Sequence, residues 1–109
     1  MTNATIELKQ RTKRFALEVI QLFRLLPKGQ DVLIIARQLL RSGTSVAANY
    51  RAACRARSRA EFLAKIGIVV EEADETVFWL ELLIESGIGQ RQLIEPVLRE
   101  ANELLYIRA

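Results

Sequence analysis

Residues 30–56, QDVLIIARQLLRSGTSVAANYRAACRA, decide the fold. Wound on a helix at about 100° per residue, this stretch separates into two faces. Val32, Ile35, Ala36, Leu39, Leu40, Gly43, Val46, Ala47, Tyr50, Ala53 and Cys54 share a sector of about 140°, wide enough to face a core. Arg37, Arg41, Arg51 and Arg55 share an opposite sector of about 80°, and Arg59 joins them if the helix continues. At about 1.5 Å of rise per residue, the row from Arg37 to Arg55 is roughly 27 Å long. No acidic residue lies between Val32 and Ala60. The functional question is what that row faces.

Working outward, residues 3–26 form the first predicted helix. Phe15, Val19, Leu22 and Leu26 make its seam, with Ala16, Ile20 and Phe23 beside it. Lys9, Arg11, Lys13 and Arg14 make its first half basic. Pro27-Lys28-Gly29 is a turn, because proline stops one helix and glycine accepts a left-handed backbone. The second helix spans 30–56. Gly43 costs it about 1 kcal/mol relative to alanine. Its position beside Ala47 and Cys54 is explained by close approach of a neighbouring helix.

Ser58 and Glu61 fit a capping box that starts a third helix over 59–86. Phe62, Ile66, Val69, Ala73, Thr76, Leu80 and Leu83 keep a 3-4 spacing, with Val70, Val77 and Ile84 alongside. Ile68, Phe78, Trp79 and Leu82 lie on the opposite face among Glu71, Glu72 and Glu75. A helix apolar on two sides is expected to be buried on two sides, one of them a subunit interface. Gly87 ends this helix, and Ile88-Gly89 forms the turn. The fourth helix is expected over 90–108, with Leu93, Val97, Ala101, Leu104 and Leu105 facing inward. Pro96 requires either a start near Glu95 or a kink in a helix starting near Gln90. Four helices with short loops predict one all-α domain over 1–109, an antiparallel up-down-up-down left-handed four-helix bundle.

Half of the 109 residues are hydrophobic and 27% are charged, a globular mix. The net charge of +3 hides an asymmetry. Residues 1–60 hold 12 basic and 3 acidic side chains; residues 61–109 hold 4 and 10. A basic half suits a polyanionic partner, or the two halves neutralise each other within the bundle. One cysteine excludes a disulfide within the chain. No stretch is apolar enough to span a membrane, and the polar start lacks a signal-peptide core. The expected compartment is the cytoplasm.

There is no histidine, which removes the commonest general base and the Glu-x-x-His motif of bundle di-iron sites. Glu71, Glu72, Asp74 and Glu75 read as a solvated or salt-bridged face rather than a metal site. Cys54, on the apolar stripe, reads as a small hydrophobe. No phosphate loop or dinucleotide fingerprint occurs, so neither an enzyme nor a cofactor is expected. The arginines remain. Guanidinium groups hold phosphates bidentately at any working pH. Arg37, Arg41, Arg51, Arg55 and Arg59 are the candidate nucleic-acid contacts, through shape and phosphate rather than base readout. Their alternative use is pairing with glutamates of the third helix, within or between subunits. Ile68, Phe78, Trp79 and Leu82 are the candidate oligomer interface.

Residues 39–83, LLRSGTSVAANYRAACRARSRAEFLAKIGIVVEEADETVFWLELL, resemble the bacterial four helix bundle protein family, also known from proteins encoded in intervening sequences of 23S ribosomal RNA genes. Arg41, Ser45 and Asn49, followed by Glu61-Phe62, are its most specific part. Many members carry an acidic residue and a glycine after that asparagine, where this chain has Ala52 and Ala53. The resemblance implies an antiparallel four-helix bundle, a ring-like homopentamer and no known catalytic activity. A related protein, the accessory factor of diversity-generating retroelements, is a basic pentamer that binds nucleic acid and a reverse transcriptase. The resulting expectation is a non-enzymatic oligomer that binds nucleic acid, RNA before DNA. The alternative is a scaffold that docks a protein partner. Asn49, at the edge of the arginine sector, is expected to hydrogen-bond a group on an adjacent helix.

Overall fold

Each helix begins and ends where its local chemistry directs. In the computed structural model, which describes residues 2–106, α1 spans Asn3–Leu25. Thr2 caps it: its hydroxyl accepts from the Thr5 amide at 3.1 Å. It stops because Leu26, which precedes Pro27, is extended. Gly29, at φ 154°, leads into α2, Gln30–Cys54. That helix runs through Gly43 unbroken.

α3 spans Arg59–Glu85. The Ser58 hydroxyl accepts from the Glu61 amide at 3.0 Å. Glu61 in turn accepts from the Arg57 amide at 3.2 Å, one residue upstream of the usual capping-box partner. Gly87, at φ 74°, closes the helix. Its amide donates to the Ile84 carbonyl at 3.1 Å, and the Ile88 amide donates to Leu83 at 2.9 Å, the paired bonds of a Schellman motif. α4 spans Arg91–Leu104 and carries Pro96 inside it. Of the two starts that Pro96 left open, the one near Gln90 is met. It ends before residue 108, and residues 107–108 lie outside those described.

Every regular element among the described residues is an α-helix. α1 packs on α2, α2 on α3, α3 on α4, and α4 returns to α1. The bundle is 44 Å long and about 20 Å across. Phe15, Val19, Leu39, Val46, Val69, Ala73, Leu80, Leu83, Ile94, Ala101 and Leu104 are fully enclosed. A Cβ on Gly43 would lie 2.8 and 2.9 Å from the two Val19 methyls, so the glycine sets the approach of α1 to α2. One position away, the Ser42 and Thr76 hydroxyls meet at 2.9 Å across the α2–α3 contact. Both are buried, and the Leu39 and Glu72 carbonyls are within reach to accept from them.

One core expectation fails. Leu93 is 38% exposed, and Ile94 takes the inward position. The buried row of α4 is Ile94, Val97, Ala101 and Leu104; Leu93 lies about 60° from its centre, at the edge of the row and in the first turn of the helix.

Candidate nucleic-acid interface

α2 carries the arginines outward because its apolar stripe is held by α1 and α3. Val32, Ala36, Leu39, Gly43, Val46, Tyr50 and Ala53 are buried. Arg37, Arg51 and Arg55 are exposed, and so is Arg59 at the start of α3. None of these four makes an ion pair among the described residues.

Arg41 differs. One guanidinium nitrogen reaches Glu72 at 3.2 Å, another lies against Glu75, and Nε donates to Gln38 at 3.1 Å. Its side chain is still 48% exposed, but its charge is spoken for. The helical sector explains the difference. Arg41 lies at the edge that faces α3, level with the Ser42–Thr76 contact. Of the two uses open to the arginines, pairing with glutamates of the third helix is the one met at Arg41.

Arg51 lies at the other edge, toward α1. There a groove of about 600 Å³ opens between α1 and α2, lined by Ile6, Lys9, Gln10, Lys13, Ala47, Ala48 and Arg51. Its floor is aliphatic and three cations stand around it.

The basic start of α1 is also divided. Arg11 turns away from the groove to α4. Its Nε and Nη2 grip the two Glu100 oxygens, each at 2.7 Å, and Nη2 reaches Glu103 at 2.9 Å. Hydrogen bonding from Arg11 holds the Glu100 carboxyl below the usual carboxylate range, and the same bond raises Arg11.

Asn49 does not reach another helix. Its amide nitrogen donates to the Ser45 carbonyl and hydroxyl, both at 2.9 Å, one turn back on α2. The hydroxyl of buried Tyr50 stands beside Cys54 and Thr5, and its pKa is pushed up, chiefly by burial. Cys54 packs half-buried against the core.

The expected interface residues of α3 are unequal. Phe78 is 50% exposed and meets Trp79 edge to face at 4.9 Å. Ile68, Trp79 and Leu82 are half-buried, and Trp79 packs against the core with its Nε1 sealed from water and unpartnered. The largest exposed aliphatic surface on α2, Ile34 at 67%, escaped the sequence reading. Its signal was the apolar run Leu33-Ile34-Ile35, longer than one helical face can bury.

No curated protein matches the chain significantly. A solved structure of a protein of unknown function from the S23 ribosomal protein family of Bacteroides thetaiotaomicron is similar, at 38% identity and a TM-score of 0.82. The match covers 89% of this chain and 90% of that one. The family described as 23S rRNA-intervening sequence protein matches residues 4–107. With the fold and that near-complete match in agreement, the chain belongs to the 23S rRNA-intervening sequence protein family.

Proposed function

We propose that this chain is a non-enzymatic, oligomeric four-helix bundle that binds nucleic acid, RNA in preference to DNA, through phosphate contacts from α2. The observation that carries this reading is the exposure of Arg37, Arg51, Arg55 and Arg59 without a carboxylate partner among the described residues. Arg37, Arg51 and Arg55 on α2 and at its end, with Arg59 at the start of α3 because α2 stops at Cys54, displace counterions from a phosphate backbone and hold it bidentately. Lys9 and Lys13 add charge beside Arg51. Arg41 is left out of the contact set because Glu72 and Glu75 hold it. The ring of neighbour contacts is compatible with an antiparallel up-down-up-down left-handed topology. Five copies is the number the family resemblance implies.

The test is an RNA titration at two salt concentrations. The affinity of the wild-type protein falls steeply with salt. The Arg37/Arg51/Arg55/Arg59→Ala variant binds weakly with a shallower slope, while Arg41→Ala keeps the wild-type slope. Binding that ignores salt, or no binding at low salt, overturns the proposal. One observation favours the protein-docking scaffold as a second reading: the half-exposed ring of Phe78 on an acidic helix.

A further inference from the structure

We propose that the groove between α1 and α2 receives an unstacked base of single-stranded RNA, with the flanking phosphates on Lys9, Lys13 and Arg51. This rests on the nucleic-acid reading above and makes it more specific. The groove volume, about 600 Å³, lies within the range of small-ligand pockets and leaves room for one nucleotide. Its floor of Ile6, Ala47 and Ala48 is aliphatic, and the flat face of a base loses little by leaving water for such a surface.

The charge arrangement narrows the occupant. Lys9, Lys13 and Arg51 stand around the groove, and none makes an ion pair among the described residues. An occupant that is apolar in the middle and anionic at its edges matches this pattern, as a nucleotide within a strand does. Gln10 adds an amide with both a donor and an acceptor, the complement of a base edge. A duplex keeps its bases stacked inside and presents only phosphates, so it leaves the apolar floor unused. A single strand uses the floor and the cations together.

The test compares a short mixed-sequence RNA strand with the same strand annealed to its complement, both fluorescently labelled, on the full-length protein. Wild type binds the single strand more tightly than the duplex. The variant Gln10→Leu/Ala48→Leu fills the groove from two exposed positions without changing charge. It weakens single-strand binding about tenfold and leaves duplex binding within about twofold. Lys13→Gln weakens both, as loss of a phosphate contact requires. Circular dichroism and the melting temperature establish that each variant is folded. Equal or tighter duplex binding by wild type overturns the inference, as does a filled groove that leaves single-strand binding unchanged. In either case phosphate binding by the arginines stands. Failure of wild type to bind either form at low salt overturns both.

Discussion

Gly43 shows most directly what one side chain decides. A methyl group there would gain about 1 kcal/mol of helix propensity. It would also lie within 3 Å of both Val19 methyls, and Val19 is fully enclosed with a β-branched side chain that is stiff at χ1. Overpacking outweighs propensity. Gly43→Ala is therefore expected to destabilise by about 1–3 kcal/mol in urea denaturation. Val19→Ala alone leaves a cavity, and the double variant should cost less than the sum of the two singles. Additive costs would show that α1 and α2 do not meet at this contact. The glycine and its explanation were legible from its place on the apolar stripe. The identity of its neighbour was not, because periodicity gives a residue's angle on its own helix and nothing about the register of the next.

Two contacts at the level of whole helices carry separable predictions. Ser58 begins α3 by accepting from the Glu61 amide. Ser58→Ala should cost about 1 kcal/mol, read as a lower urea midpoint with an unchanged slope. Arg11 fastens α1 to α4 through Glu100. The folded Glu100 pKa lies below its ordinary value of 4.5. Its contribution to stability is therefore complete above that value and is lost as the pH falls through the folded pKa. Wild type should lose stability relative to Glu100→Gln over this acidic range, and Arg11→Ala should abolish the difference. The cost of Arg11→Ala at neutral pH is on the order of 1 kcal/mol, since the pair is partly exposed. A pH-independent gap between wild type and Glu100→Gln would contradict the clasp. The sequence marked Arg11 as one cation of a basic run. Only the return of α4 to α1 gave it a carboxylate.

For the whole molecule, the charge asymmetry of the chain is partly retained at the surface. The basic flank of α2 and its C-cap keep Arg37, Arg51 and Arg55 unpaired among the described residues, while Arg41 and Arg11 are drawn to acidic residues of α3 and α4. Among the described residues no helix is long and apolar enough to cross a membrane. If α3 supplies a subunit interface, Phe78 is its most accessible anchor. Phe78→Glu should lower the particle mass in light scattering and keep the helical circular dichroism signal. Trp79→Ala should instead lower stability, because Trp79 packs against the core of its own bundle. An unchanged mass for Phe78→Glu would move the interface elsewhere.

Helix number, the boundaries of α1 to α3 within about two residues, and nearly every core position followed from the sequence alone. These depend on the 3.6-residue repeat and on caps such as Ser58 and Gly87, which act over a few residues of chain. The exposed side of α2 was readable for the same reason. The tertiary structure alone decided the fate of each cation. Arg37, Arg41 and Arg51 share one sector of α2, yet α3 stands at one edge of that sector and α1 at the other. A carboxylate therefore meets Arg41, a groove opens beside Arg51, and Arg37 faces solvent. Charge pairing between helices depends on their relative azimuth and register, and these are set by contacts between residues as distant in the chain as Ser42 and Thr76.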